Sequence, residues 1–105
     1  MKLPKRPQPI RSKTHRLWLG SLACAVAGCM ARPEAHHVRR GFLTMSRRPG
    51  DDMAVPLCRI HHDECHNGVV TFEAKYRLDL KRVADTLWVM SPGNPDNDGQ
   101  ASYRR

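Results

Sequence analysis

No stretch of this 105-residue chain approaches the roughly 20 apolar residues that a helix needs to cross a bilayer. Acidic residues are few, 10 against 18 Lys and Arg, and residues 1–16 contain none. The resulting formal charge of +8 points to a polyanionic partner, either nucleic acid or an anionic membrane surface. There is no internal repeat. The chain is also short enough to be one small domain. Once its polar ends are set aside, about 75 residues remain to fold, a size at which an apolar core alone is marginal and a structural metal commonly helps.

Four cysteines could in principle form two disulfides. Their interleaving with six histidines favours metal ligation in a reducing cytoplasm instead. One competing layout has to be weighed. A basic segment over residues 1–16, an apolar run Leu17–Ala27 and the sequence Val26-Ala27-Gly28-Cys29 together resemble the signal peptide of a lipoprotein. Three prolines in a long basic segment and a cysteine, Cys24, inside the apolar run argue against it.

Taken in order, Met1 to about Thr14 is Pro-rich and basic and is expected to be an extended, mobile arm, the first of three regions. A folded domain is expected over 15–90 and a disordered tail over 91–105, where Pro, Gly, Asn and Asp crowd together. Within the domain, His15–Leu22 reads as a helical turn or strand, and Cys24–Cys29 as a loop that Gly28 allows to turn tightly. Ala35–Arg40 reads as a short strand, Gly41–Asp52 as a basic loop, and Met53–Pro56 as the second strand of a hairpin. A helix from about Leu57 should stop at Asn67-Gly68, with glycine in the left-handed cap conformation. Val69–Arg77 reads as a short connection or helical turn. Asp79 caps a last helix in which Leu80, Val83, Ala84, Leu87 and Trp88 recur at helical spacing.

The richest stretch is Leu57–Gly68, where Cys58, His61, His62, Asp63, Cys65 and His66 can all bind metal or move a proton. On a helix, His62 and His66 share one face, while Cys58, His61 and Cys65 lie on a neighbouring one. Two faces suggest two jobs. The first set is Cys24-x4-Cys29 with Cys58-x2-His61, two ligand pairs that match the tetrahedral N/S demand of a structural zinc. Cys65 is the alternative fourth ligand. His61 is preferred because the short pair closes a knuckle at the start of the helix. The second set is His36-His37 with His62-x3-His66. Three imidazoles on one divalent cation leave positions open for phosphate and water. A strand turns successive side chains to opposite faces, so His36 and His37 must play different parts, one ligating and one free to polarise water.

These residues, His-His-x-Arg, a basic Gly/Pro loop, then Val-Pro-Leu-Cys-x2-His-His-x3-His-x-Gly, resemble the HNH endonuclease superfamily, and most of all its phage and prophage Ref-like branch. The similarity runs from about His15 to Trp88. It implies an α+β fold of the zinc-stabilised ββα-metal (HNH, or His-Me finger) type with flanking helices. It also implies His37 as general base, His36, His62 and His66 as ligands of a catalytic divalent cation (Mg²⁺, Mn²⁺ or Zn²⁺), and Cys24, Cys29, Cys58 and His61 as ligands of a structural Zn²⁺. The middle Asn of the superfamily name has no clear counterpart, Asp51 or Asp52 being nearest in sequence. Arg39, Arg40, Arg47 and Arg48 lie beside the site in sequence and suit flanking phosphates. The expectation is a cytoplasmic DNA endonuclease, with a non-catalytic zinc-dependent nucleic-acid-binding module as the alternative.

Overall fold

In the computed structural model the described residues are 9–38 and 49–97. They form a small mixed α+β fold with one two-stranded sheet and four helices. The elements are α1 (Lys13–Gly20), β1 (Pro33–His37), β2 (Ala54–Cys58), α2 (Arg59–His66), α3 (Val69–Tyr76) and α4 (Leu80–Met90), with a 3₁₀ turn at Asp51–Met53 leading into β2.

The sheet is an antiparallel pair whose register sets His36 opposite Val55 and His37 opposite Ala54. Its prolines sit where a strand tolerates them. Pro33 opens β1, and Pro56 gives up no ladder bond to a third strand while its carbonyl accepts from Ala25 N–H at 2.7 Å. β2 is buried along its whole length because α1, α2 and α4 all pack on it. Its Val55 and Leu57 join Val38, Met53, Phe72, Leu80 and Ala84 in one core, which Cys24, Cys58 and Cys65 extend. The metal-binding candidates are therefore built into the core wall.

Helix ends follow local chemistry. Ser12 accepts from His15 N–H, Asp79 from Arg82 N–H, and the Cys58 sulfur from His61 N–H, so α1, α4 and α2 each have one of their orphan donors satisfied by a side chain. Four expectations need correction. The start of α1 lies inside the expected arm: Asp51 N–H donates to the Ile10 carbonyl at 2.8 Å and Ser12 N–H to Asp51 Oδ2 at 2.7 Å, so residues 10–14 belong to the fold. Val69–Tyr76 is an eight-residue helix packed on α2, longer than the short connection or helical turn expected. Gly68 is extended (φ 165°) and caps that next helix, while Asn67 in right-handed conformation ends α2. Finally, Ser91 is fully buried. Its hydroxyl lies 2.6 Å from His15 Nδ1 and accepts from Gly93 N–H, which ties residues 91–94 to α1 where a disordered tail was expected.

Candidate metal centres and the adjoining cleft

Two groups of ligand atoms converge, one at each side of α2. Cys24, Cys29, Cys58 and His61 bring three sulfurs and a ring nitrogen within 4.8 Å of one another. Cys29 and Cys58 sulfurs are 3.8 Å apart, and His61 Nδ1 is 3.2 Å from the Cys58 sulfur and 3.5 Å from that of Cys24. A tetrahedral zinc with bonds of about 2.3 Å to sulfur and 2.0 Å to nitrogen separates its ligands by roughly 3.5–3.8 Å. The donor set and its spacing therefore fit zinc, and no disulfide competes, since all four cysteines are free.

The local fold explains the convergence. Gly28 takes a left-handed backbone (φ 83°) that folds Cys29 back toward Cys24, and Cys29 N–H closes the turn on the Val26 carbonyl at 3.1 Å. Cys58 ends β2 and caps α2, so three residues later His61 returns to the same spot. The thiols differ in kind. Burial raises Cys24, whereas at Cys58 burial is outweighed by hydrogen bonds, first from the His61 N–H and then from the Cys29 thiol, which hold it below the ordinary thiol range. Behind His61 stand Tyr76 and Phe72 of α3, with ring centroids 5.2 and 6.4 Å away. Tyr76 also donates to Glu64 on α2 at 2.7 Å. Sequence reading missed this support because Val69–Arg77 reads as no more than a short connection or helical turn.

Cys65 is not part of this group. It is fully buried, one turn along α2, with its sulfur 3.5 Å from His36 Nε2. Burial and then the nearby Glu73 and Glu64 raise its thiol, and its sulfur is not among the four ligand atoms that converge.

The second group is His36 from β1 with His62 and His66 from α2, whose ligand nitrogens lie within 4.8 Å of one another. His62 and His66 stack one turn apart (centroids 4.9 Å), and His36 meets both edge-on at 4.5 and 5.4 Å. Two observations bear on which nitrogens are available. His62 Nδ1 is engaged by Glu34 Oε2 at 3.0 Å, leaving Nε2 for a cation. His36 Nδ1 is buried and has no hydrogen-bond partner. An orphaned buried nitrogen is costly unless something else satisfies it, and a metal ion would. Burial first, and then the neighbouring His62 and His66, push His36 down to about 4, so at neutral pH it is the uncharged imidazole that binds metal. Glu34 is a further candidate residue of this group that the sequence reading passed over. Its i, i+2 spacing to His36 on a strand was the available signal.

His37 stands outside both groups, as strand alternation requires, with its Nε2 2.8 Å from Asp51 Oδ1. Asp51 is 2 % exposed and also accepts from Ser12 N–H and from Arg16 at 2.6 Å. Burial would raise its carboxyl, but the hydrogen bonds from His37, Ser12 and Arg16 outweigh that and keep it low and ionised. His36, His37 and His66 line a cleft of about 220 Å³ together with Val38, Cys65, Val69 and Leu80. Two members of the three-histidine group, His36 and His66, thus face the same space as His37. Arg39, Arg40, Arg47 and Arg48 lie outside the described residues. No helix among the described residues is long and apolar enough to cross a membrane.

A profile of the family described as "Protein of unknown function (DUF968)" matches residues 1–90. The chain is 37 % identical over 83 residues to the uncharacterized protein YdfU of Escherichia coli (strain K12), an alignment covering 79 % of this chain and 24 % of that protein. It thus spans about a quarter of the length of that relative. No solved structure matches it.

Proposed function

We propose that this chain, which belongs to the DUF968 family of proteins of unknown function, is a zinc-stabilised, divalent-cation-dependent endonuclease of the HNH type that hydrolyses DNA phosphodiester bonds. The observation that carries this reading is the division of labour on β1. His36, with a buried Nδ1 that has no partner, groups with His62 and His66, while its neighbour His37 stands outside that group yet fronts the same cleft. The order hairpin β1–β2 then helix α2, with three histidines between them, supports a ββα-metal assignment.

His36, His62 and His66 would hold the cation, which when bound supplies positive charge at the scissile phosphate and stabilises the departing oxygen. His37 accepts the proton of the attacking water. The water oxygen bonds to phosphorus, the bond from phosphorus to the 3′ oxygen breaks, and that oxygen leaves with the electron pair to be protonated by solvent. Glu34 keeps the His62 ring oriented by accepting at Nδ1. The Cys24, Cys29, Cys58 and His61 set fixes the first turn of α2 and with it the positions of His62 and His66 four residues apart. Arg39 and Arg40, which follow His37 in sequence, and Arg47 and Arg48 are proposed to hold flanking phosphates. Three cysteines beside a ring nitrogen, all unpaired, suit the reducing cytoplasm where DNA is found.

The test is incubation of supercoiled plasmid with purified zinc-loaded protein and added Mg²⁺, Mn²⁺ or Zn²⁺. Nicked or linear product that EDTA suppresses is expected. DNA that is retarded on a gel but stays intact with every cation would favour the non-catalytic zinc-dependent binding module.

A further inference from the structure

A histidine that takes a proton from water must present a bare nitrogen, and its other nitrogen then carries the hydrogen. At His37 a carboxylate decides which is which. Nε2 lies 2.8 Å from Asp51 Oδ1, and an ionised carboxylate only accepts, so the hydrogen sits on Nε2 and Nδ1 is left bare.

Asp51 itself has almost no freedom. Its Oδ2 takes Ser12 N–H at 2.7 Å and Arg16 at 2.6 Å, both from the start of α1. Its own N–H is held by the Ile10 carbonyl at 2.8 Å. The preceding backbone is pressed so close that a Cβ on Gly50 would meet Ile10 N at 2.7 Å. Arg16 balances the charge of the carboxylate, and Oδ2 takes both contacts from α1. That leaves Oδ1 for the His37 ring, which is 36 % exposed and so open to water on its other side.

We propose that Asp51 is a positioning residue for His37, fixing the ring with its hydrogen on Nε2 so that Nδ1 is the nitrogen that accepts the proton from water, and that α1, through Ser12 and Arg16, holds Asp51 in place. This rests on the nuclease reading for its catalytic consequence, though the pairing can be read without any cleavage. It also gives α1 a reason to begin inside what the sequence presents as a loose arm.

Asp51→Asn is the informative change. An amide of the same shape can donate an N–H to Nε2, which drives the hydrogen to Nδ1 and blocks the accepting nitrogen, the fault produced by the same replacement behind the histidine of a Ser-His-Asp triad. In zinc-loaded full chain, kcat for plasmid cleavage should fall on the order of 10²–10⁴-fold with KM for DNA within a few-fold of wild type. Because Asp51 is buried and the variant can fail to fold, the wild type carries an independent readout. Long-range ¹⁵N–¹H correlation of the His37 ring at one neutral pH should show hydrogen on Nε2. A wild-type ring with its hydrogen on Nδ1 overturns the proposal, as does a folded Asp51→Asn protein that cleaves within threefold of wild type. The two readings fail differently. Wild type that leaves plasmid intact with every cation removes the nuclease and with it the catalytic role of the pair, whereas a wild type that cuts DNA with an Nδ1–H ring removes Asp51 alone.

Discussion

Glu34 Oε2 lies 3.0 Å from His62 Nδ1, so one face of β1 supplies both a candidate ligand, His36, and a carboxylate that engages a second candidate, His62, across the gap to α2. A carboxylate behind a ligating histidine fixes its tautomer and its direction, and losing one typically weakens metal affinity 10–100-fold. Glu34→Ala should therefore weaken binding of Mn²⁺ to zinc-loaded protein by about that factor, as read by calorimetry, while the zinc content stays the same. Unchanged Mn²⁺ affinity would remove Glu34 from the site.

The Cys/His group should hold about one zinc tightly, with binding free energy that is folding free energy. Cys58→Ser should lose both the metal and cooperative thermal unfolding, because Cys58 is at once a ligand, the last residue of β2 and the cap of α2. His61→Ala should lose zinc and Cys65→Ala should keep it, as elemental analysis of the purified proteins would show. Retention by His61→Ala and loss by Cys65→Ala would reverse the assignment.

His15 gives a pH dependence away from both metal groups. Its ring is fully buried against Trp18 and Trp88, and burial lowers its pKa more than the nearby Asp51 and Asp52 raise it. The unfolded chain then binds a proton that the folded one refuses, so stability rises with pH across the interval below the ordinary histidine value of 6.5. Its contribution is fully present above that value and is lost on acidification. Denaturant titrations at pH 7.5 and pH 5.5 should show wild type losing more stability than His15→Gln. Release of zinc affects both proteins alike, so the difference isolates His15. Equal losses would contradict this.

Residues 10–14 belong to the fold, so the basic arm is best tested by removing residues 2–8 alone, which carry Lys2, Lys5 and Arg6. If these charges meet phosphates, the slope of log affinity for DNA against log salt should fall by up to about 0.9 per charge. Arg11 is left in place because it donates to the Pro49 carbonyl at 3.3 Å. A slope that does not move would mean the arm does not contact DNA.

Much of the local structure was legible because it depends on neighbours in sequence. Cys58-x2-His61 and His62-x3-His66 sort onto two faces by helix geometry alone, and strand alternation separated His36 from His37 before any fold was known. The boundaries of β1 and β2 came within three residues for the same reason. What stayed hidden depends on contacts distant in sequence. Asp51 meets His37 across 14 residues and Ser12 across 39, and one of two adjacent aspartates carries no mark of which is buried. Helix α3 opens on Val69, Val70 and Thr71, β-branched residues that read against a helix until their packing on α2 and the Tyr76–Glu64 bond are seen. Ser91 looked like the start of a polar tail because its partner, His15, is 76 residues away.

The most direct measurement is cleavage of supercoiled plasmid across a Mn²⁺ titration by wild type and by the four single variants His36→Ala, His37→Ala, His62→Ala and His66→Ala. Removal of a ligand weakens the cation, so His36→Ala, His62→Ala and His66→Ala should recover part of their activity as Mn²⁺ rises. Removal of the proton acceptor acts only in the transition state, so His37→Ala should stay on the order of 10²–10⁴-fold slow at every concentration, with folding and DNA affinity near wild type. If His37→Ala recovers with Mn²⁺ as the others do, or if all four variants cut as fast as wild type, the account of this site is wrong.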